Sequence, residues 1–235
     1  MRAPVSIVII TLNEEKYLPK LLTSLKNQSL PPAEIIVADA FSADRTRAIA
    51  AEFGAKVVDG GLPSKGRNMG AAAAGQELLL FLDADVVLPP KFLEETLAEI
   101  RQRNLDIASC YTQPITQVKL DKFLHDLVNY YLRYTAPINT RMPGYCIFVK
   151  KWIHQAISGF DETMILCEDH DYLSRAKKFG KFAFLRSYKV PVSVRRLRKE
   201  GLPKLALKYL ATELHLIFLG KITKPFFAYE FGKHK

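Results

Sequence analysis

The chain has 235 residues, of which 49% are hydrophobic and 25% are charged, and its formal net charge is +10. This length and balance fit one folded α/β domain with a short appendage and exclude a chain that is disordered throughout. The excess of basic residues predicts an anionic partner, such as a phosphate-bearing substrate, an acidic membrane surface or a nucleic acid.

The three cysteines, Cys110, Cys146 and Cys167, are widely spaced and odd in number. They match neither a zinc-binding spacing nor a disulfide framework, so we expect reduced, buried thiols in a cytoplasmic protein. The first apolar segment, residues 5–10, is too short for a signal peptide and is followed at once by acidic residues. No stretch reaches the roughly 18 uninterrupted apolar residues of a spanning helix. We therefore expect a chain that does not cross a membrane.

Short apolar segments alternate with helical patterns along the first hundred residues. Strands are predicted at residues 5–10, 34–38, 56–58 and 78–82, and helices at 17–25, 46–53, 67–74 and 92–100. Ser42 or Asp44 is the predicted cap of the second of these helices. Because this alternation is typical of parallel βαβ units, we expect an α/β fold with a mostly parallel sheet flanked by helices.

The second half of the chain adds further strands and longer helices. Strands are predicted at 106–111, 146–149 and 183–185, and helices at 119–134 and 171–179. The apolar and aromatic residues of the 119–134 helix form one stripe, which is typical of an amphipathic helix. Beyond residue 194 the composition changes to a basic run at 195–199, a leucine-rich helix at 203–219, an aromatic cluster at 226–229 and a basic end.

Two carboxylates follow the most apolar of these strands, in the order Asp83-Ala84-Asp85. The carboxyl ends of strands are where ligands bind in open α/β sheets. Two like charges there raise each other's pKa unless a cation compensates them. Mg²⁺ and Mn²⁺ prefer carboxylate oxygen, and substrate phosphates complete the shell. We interpret Asp83 and Asp85 as ligands of Mg²⁺ or Mn²⁺, the alternative being solvated acidic residues of a turn.

Six ordered motifs within residues 4–195 resemble the family 2 glycosyltransferases of the GT-A fold. They are residues 6–15, 34–39, 65–70, 83–85, 159–162 and 168–169. The resemblance implies a Rossmann-like, mixed and mostly parallel sheet, and an enzyme that transfers a sugar from a nucleotide-diphosphate sugar. At one position the chain departs from the pattern: most members carry a second acidic residue after the position of Asp39, where this chain has Ala40.

The resemblance also implies which residues bind the nucleotide sugar. They are Thr11, Asn13, Glu14, Asp39, Arg67, Asp83, Ala84 and Asp85. Among them, Asp39 is expected to accept hydrogen bonds from the nucleotide base. Arg67 is expected to point its guanidinium at the diphosphate, a geometry suited to bidentate contact.

The pair Glu168-Asp169 resembles the catalytic-base motif of the same family. An inverting transfer to a hydroxyl needs a carboxylate opposite the leaving group to take the proton, and we predict that Asp169 has this role. Glu168, Arg195 and Arg198 are predicted to contact a phosphate or the acceptor. The alternative is that the acidic residues Glu168, Asp169 and Asp171 stabilise the first turn of the following helix. We apply that interpretation to Asp171.

The basic segment at 195–204 loosely resembles that of the dolichyl-phosphate mannose synthases. The 203–219 helix has one apolar face flanked by lysines, a pattern typical of a helix lying in a membrane interface, although a helix packed on the core is a serious alternative. We accordingly divide the chain into a glycosyltransferase domain, residues 1–200, and a C-terminal amphipathic, membrane-associating segment, residues 201–235. The expected location is peripheral, on the cytoplasmic face of the cell membrane.

The sequence thus predicts an inverting, metal-dependent transferase that moves a sugar to a lipid-linked or membrane-proximal acceptor. GDP-mannose is favoured as donor through the synthase-like tail, ahead of UDP-sugars. A UDP-sugar-dependent transferase acting on a soluble saccharide is one alternative. A non-catalytic nucleotide-sugar binder or a nucleic-acid-binding protein is another. No recognised nucleic-acid module is present, so we expect no nucleic-acid partner.

Overall fold

A computed structural model describes residues 1–135 and 141–224, apart from the side chains of Ser193, Arg195, Arg196 and Ile217. The strands are β1 Ala3–Thr11, β2 Pro32–Asp39, β3 Lys56–Asp59, β4 Leu78–Asp83, β5 Ile107–Ile115, β6 Cys146–Lys150 and β7 Phe182–Ser193. The helices are α1 Leu18–Lys26, α2 Thr46–Glu52, α3 Pro63–Ala73, α4 Phe92–Gln102, α5 Lys119–Thr135, α6 Lys151–Ala156, α7 Glu168–Ala176, α8 Arg195–Glu200 and α9 Leu202–Phe218. The aromatic cluster predicted at 226–229 lies outside the described residues.

The strands form one sheet in the order β3-β2-β1-β4-β6-β5-β7. β1 pairs in parallel with β2 and β4, and β2 pairs in parallel with β3. β6 runs antiparallel to its neighbours β4 and β5, whereas β7 is parallel to β5. The prediction of a mixed, mostly parallel sheet flanked by helices is therefore confirmed.

Several elements differ in extent from the sequence prediction, and the short helices α6 and α8 were not predicted. β7 has 12 residues instead of the predicted three, because its pairing with β5 continues through polar residues that interrupt the apolar pattern. β7 lies at the edge of the sheet, where Pro191 is tolerated because an edge strand has unpaired N–H positions. The basic run at 195–199 is part of α8.

The core has two parts, and alternate residues of β1 contribute to each of them. Ile7 and Ile9 belong to the part that includes the apolar residues of α1 and α4, whereas Val8 belongs to the part under α3, α6 and α7. Cys110 and Cys146 are buried free thiols, as expected, and Cys167 is half-buried.

A close contact between α3 and β1 depends on a glycine. A Cβ atom added at Gly70 would lie 2.2 Å from Cγ1 of Val8, so no side chain fits without a shift of the helix or the strand. We expect Gly70→Ala to lower the free energy of unfolding by about 1–3 kcal/mol through overpacking, measured by urea titration. Val8→Ala removes the clashing methyl groups, so the double variant Val8→Ala/Gly70→Ala should be more stable than the two single losses predict. Additive losses would contradict the close contact.

A buried histidine makes the stability depend on pH. His154 accepts or donates a hydrogen bond at 2.9 Å to the hydroxyl of Tyr172 and packs against the rings of Phe81 and Phe160. Burial, together with Arg175 and Lys151, lowers the pKa of His154 from 6.5 to about 4.

The folded-state pKa of His154 is below the unfolded value. The contribution of the neutral side chain to the free energy of unfolding is therefore fully present above pH 6.5 and is lost as the pH falls toward 4. Lowering the pH from 7 to 5 should cost about 2 kcal/mol through this group. His154→Gln, which keeps a hydrogen-bonding side chain that does not titrate, should lose less stability over this interval than the parent. Parallel pH profiles of the two proteins in urea titrations would refute the assignment.

Candidate active site

The carboxyl ends of three parallel strands meet at one edge of the sheet. The register pairs Thr11 of β1 with Asp39 of β2, and Ile10 of β1 with Asp83 of β4. The segments that the sequence analysis assigned to nucleotide-sugar binding therefore leave the sheet side by side. Ala84, which follows β4, is buried, whereas Asp83 and Asp85 are half-buried.

Hydrogen bonds connect the loop after β2 to the loop after β1. Asp39 accepts hydrogen bonds from the hydroxyl of Thr11 at 2.9 Å, from the hydroxyl and N–H of Ser42 at 2.6 and 2.9 Å, and from Arg47 at 3.4 Å. The side chain of Asp39 is completely shielded from solvent. Both carboxylate oxygens are thus engaged by protein donors.

This burial sets a condition on the role predicted for Asp39. A nucleotide base can reach its carboxylate only if Ser42 and Arg47 move, so the contact with the base stays a prediction. Ser42, one of the two predicted helix caps, donates to Asp39, whereas Asp44 accepts the N–H of Thr46 at 2.9 Å at the start of α2.

Three more of the residues assigned to the nucleotide sugar lie at the end of β1 and in the loop that follows it. Thr11 is buried beneath Asp39, and its hydroxyl is used in that contact. Asn13 is exposed in the left-handed region with φ 57°, and its side chain accepts the N–H of Ala43 at 2.9 Å. Glu14 is buried, and its N–H donates to Thr46 at 2.8 Å. Of these three residues, Asn13 is the one whose side chain faces solvent.

Arg67 is the centre of a second cluster, formed between α3, β4 and α7. Its guanidinium donates to Glu168 at 2.7 Å, to Asp83 at 3.3 Å and to the carbonyl of Gly144 at 3.3 Å. It also lies over the ring of Phe160, 5.2 Å from the ring centroid. The residue is only 3% exposed.

The position of Arg67 differs from the sequence prediction. Its guanidinium was expected to point at a diphosphate, yet here it is buried and bonded to two carboxylates and a carbonyl. The physical reason is that Glu168 and Asp83 would be uncompensated in a partly buried environment without a cation beside them. Glu168, predicted to contact phosphate or acceptor, is thereby held by Arg67.

The carboxylates around Arg67 carry more negative charge than its single guanidinium can compensate. The pKa of Asp83 is raised to about 6, chiefly by burial; Asp85, Glu168 and Asp169 contribute to this rise, and Arg67 opposes it. Four carboxylates near one guanidinium leave an excess of negative charge, and hard oxygen ligands suit Mg²⁺ or Mn²⁺. The side chains present therefore fit the cation that the sequence predicts. Among the described residues no group of three or more ligating side chains could hold a metal ion, so substrate oxygens would have to complete the shell.

Asp169 lies in the first turn of α7. The chain enters this helix through Cys167, which has a left-handed φ of 60°, a conformation that is strained for a residue with a Cβ atom. The N–H of His170 donates to Asp169 at 2.9 Å. Burial and Glu168 raise the pKa of Asp169, while His170 and Arg67 act in the opposite direction. A carboxylate with a raised pKa holds a proton better than an ordinary aspartate does.

Two residues that shape this cluster were not predicted from the sequence to do so. A Cβ atom added at Gly144 would lie 3.1 Å from Nη2 of Arg67 and 3.2 Å from Oδ2 of Asp169, so a glycine leaves the space between them open. Asn68 exchanges two hydrogen bonds with the backbone of Phe160, at 2.8 and 2.9 Å, and so connects two of the recognised motifs. Asn68 lies within a quoted motif, whereas Gly144 had no local signal.

The predicted basic contacts of the tail lie elsewhere. Arg198 donates to Asp121 of α5 at 2.6 Å and not to the carboxylate cluster. The side chain of Arg195 lies outside the described residues. The chain after α9 returns toward the segment before α7, because Ile222 forms a bridge with Leu166 and Lys221 pairs with Asp161 at 2.5 Å. Nowhere in residues 1–135 and 141–224 is there a helix with the length and apolar character to span a bilayer.

Comparison with known sequences relates the chain to sugar-transferring enzymes. A model of the family described as Glycosyl transferase family 2 matches residues 6–164. The 4,4'-diaponeurosporenoate glycosyltransferase of Staphylococcus haemolyticus is 43% identical over 93 residues, which are 36% of this chain and 24% of that protein. The poly(ribitol-phosphate) beta-N-acetylglucosaminyltransferase TarS of Staphylococcus aureus is 31% identical over 112 residues, 43% of this chain and 20% of that protein. The chain thus spans a quarter or less of the length of these two relatives.

Solved structures share the fold at lower identity. TarS 1-349 of S. aureus in complex with UDP superposes with a TM-score of 0.66 at 22% identity, covering 83% of this chain and 61% of that chain. The mannosyltransferase PcManGT from Pyrobaculum calidifontis, in complex with GDP-Man and Mn²⁺, has a TM-score of 0.66 at 17% identity, covering 90% of this chain and 65% of that one. These likenesses show the GT-A fold. Because the family model matches more than half of the residues and the sheet has this architecture, the chain belongs to glycosyl transferase family 2.

Proposed function

We propose that this protein is an inverting glycosyltransferase that uses a nucleotide-diphosphate sugar as donor. The observation that carries the proposal is the cluster in which Asp83, Glu168 and Asp169 surround the buried Arg67 at the carboxyl end of β4. It combines residues for a cation with a candidate base, and the two are separated by 86 positions in the sequence (169 − 83). Family membership and the fold support the reaction class.

In the proposed reaction, the acceptor oxygen attacks the anomeric carbon as the bond from that carbon to the nucleoside diphosphate breaks. With a hydroxyl acceptor, Asp169 takes the proton of the attacking oxygen. With a phosphate acceptor the oxygen is already anionic, and Asp169 orients the acceptor instead. Arg67 keeps Glu168 and Asp83 in place. When bound to Asp83 and Asp85, Mg²⁺ or Mn²⁺ neutralises charge on the departing diphosphate.

The donor we favour is GDP-mannose, with a UDP-sugar as second candidate. The synthase-like basic segment supports GDP-mannose, and a mannosyltransferase complexed with GDP-Man is among the structural neighbours. A UDP-sugar is supported by the local sequence identity to TarS, whose structures include complexes with UDP and UDP-GlcNAc. Asn13, an exposed residue of the loop after β1, is a proposed contact for either nucleotide.

We propose further that the acceptor is lipid-linked and that the C-terminal segment lies on an anionic membrane surface at the cytoplasmic face. The support is the exposure of the apolar residues of α9, including Leu207, Leu210 and Phe218, which are 66%, 57% and 78% exposed. A helix packed on the core, the alternative, would bury such residues. Among the side chains of α9 that the structure describes, Leu205 and Thr212 are buried.

Thermal unfolding with GDP, UDP and their sugars, each with and without Mn²⁺, tests the donor proposal. A ligand that binds the folded state stabilises it by about 2.7 kcal/mol at a concentration 100 times its dissociation constant, so the shifts in Tm rank the candidates. We expect a nucleotide-sugar shift that depends on Mn²⁺ and is lost in Asp83→Ala/Asp85→Ala. The control Glu52→Ala/Glu94→Ala removes the same charge from exposed positions on α2 and α4 and should retain the shift. Turnover of the activated sugar by the Asp83→Ala/Asp85→Ala protein at the parental rate would overturn the proposal.

A further inference from the structure

The helix α5 has its apolar side toward solvent and polar residues toward the protein. Asp121, Asn129 and Leu132 are the residues it buries. Six of its exposed apolar and aromatic residues, between 45% and 67% exposed, share one face; they are Leu120, Phe123, Leu127, Tyr130, Tyr131 and Tyr134, and we call them the α5 stripe. Val128, which is 50% exposed, lies beside this face. At about 100° per residue these positions cover an arc of about 100° on the helix surface. An amphipathic helix of a soluble domain usually has the reverse orientation.

Hydrogen bonds on the inner side fix this orientation. Asn129 accepts the N–H of Thr112 at 3.0 Å and donates to the carbonyl of the same residue at 2.8 Å, which attaches the helix to β5. Asp121 accepts hydrogen bonds from Thr116 at 2.8 Å and from Arg198 at 2.6 Å. Rotating the α5 stripe inward would break these bonds and leave buried polar groups unsatisfied.

Charge around the α5 stripe is one-sided. The acidic residues of α5, α8 and α9 are ion-paired within the protein: Asp121 with Arg198, Asp126 with Lys189, Glu200 with Lys208 and Glu213 with Arg141. In contrast, the exposed residues Lys119, Lys122, Arg133, Lys199 and Lys204 form no ion pair with any residue that the structure describes. The apolar stripe is therefore accompanied by basic groups whose charge is not compensated.

We infer that the α5 stripe binds the surface of an anionic lipid bilayer, acting beside α9 as a second interfacial helix. Apolar and tyrosine side chains on one face with uncompensated lysines and arginines beside them match the interface of such a bilayer. The Arg198–Asp121 ion pair holds α8, which leads into α9, against α5. A second copy of the chain fits this surface less well, because two faces with the same excess of positive charge repel each other.

Sedimentation of the full chain with vesicles tests the inference. The parent should bind vesicles of equal parts phosphatidylcholine and phosphatidylglycerol at low salt, and bind pure phosphatidylcholine vesicles much more weakly. Phe123→Ser/Leu127→Ser should lower the partition coefficient about tenfold or more, because two apolar side chains no longer enter the lipid. Lys119→Gln/Lys122→Gln/Arg133→Gln should lower it about fivefold for each charge removed and weaken its dependence on salt.

The matched control is Trp152→Ser/Phe179→Ser, which removes two apolar side chains that are 45% and 48% exposed. Both lie at the end of the sheet where β4 and β5 begin, whereas α5 follows the end of β5. Lys150, just before Trp152, pairs with the first residue of β4, and Phe182, just after Phe179, pairs with the first residue of β5. The control should bind vesicles like the parent. Equal vesicle binding by Phe123→Ser/Leu127→Ser and the parent would overturn the inference. It would also be overturned if the parent bound no vesicles and formed a dimer in light scattering, and this variant were monomeric.

Whether α5 binds lipid can be tested separately from whether the protein transfers a sugar to a membrane-proximal acceptor. The inference concerns lipid contact alone, so it is decided by sedimentation without donor or acceptor. Donor turnover by the parent, measured without vesicles, tests the proposed function independently. A parent that binds vesicles through the α5 stripe but turns over no donor would contradict the proposed function and leave the inference standing.

Discussion

Replacing Arg67 by methionine is expected to lower the free energy of unfolding by about 3–5 kcal/mol at pH 7, because breaking a buried ion pair leaves its partners uncompensated. Arg67 is 3% exposed and is bonded to Glu168 and Asp83, with Asp169 nearby. Methionine fills much of the same volume without the charge. Urea titration measures the loss.

Two comparisons make the Arg67 prediction specific. Arg45→Met makes the same substitution in the exposed pair with Glu52, whose side chains are 70% and 59% exposed, and should change stability by less than about 1 kcal/mol. The loss in Arg67→Met should also shrink from pH 7 to pH 5, because the carboxyl groups left without their cation become neutral by taking up protons. A loss that does not vary with pH would show that packing of Arg67, and not its charge, stabilises the cluster.

The second large effect is expected in catalysis. If the acceptor is a hydroxyl, Asp169→Asn should lower the rate of transfer by about 10²–10⁴-fold, since an amide cannot take the proton. Donor binding should persist, because Asp83 and Asp85 are unchanged. The measurements are transfer rates with a hydroxyl acceptor and donor-dependent shifts in Tm on the same protein.

Asp171→Asn is the matched control, because it changes an acidic residue of the same helical turn to its amide. Asp171 pairs with Arg175 at 2.7 Å and with Lys221 at 3.5 Å, away from Arg67. Its substitution should change the transfer rate by no more than a few-fold. Undiminished transfer to a hydroxyl by Asp169→Asn would refute its role as base, while retained transfer to a phosphate acceptor alone would assign it to orienting that acceptor.

The local pattern of the sequence was sufficient for much of the fold. Apolar segments ending in turn residues predicted β1, β2 and β4, because strands buried on both faces require continuous apolar side chains. Asp83 and Asp85 could be placed at the end of β4 for the same reason. The extent of β7 could not be predicted, since an edge strand tolerates polar residues and proline and is defined by its partner β5.

The sequence by itself determined where most strands lie, the α/β class, and the acidic residues that end β2 and β4. These features depend on residues that are neighbours in the chain. Only the tertiary structure decided what those residues face. Arg67 and Glu168 are 101 positions apart and meet because α3 and α7 cover the same side of the sheet. Asp39 is enclosed by Thr11 and Ser42, and the amphipathic pattern of α5 could not reveal that its polar residues bond to β5. Which side of a helix is buried depends on the partners it meets, and those partners come from distant parts of the chain.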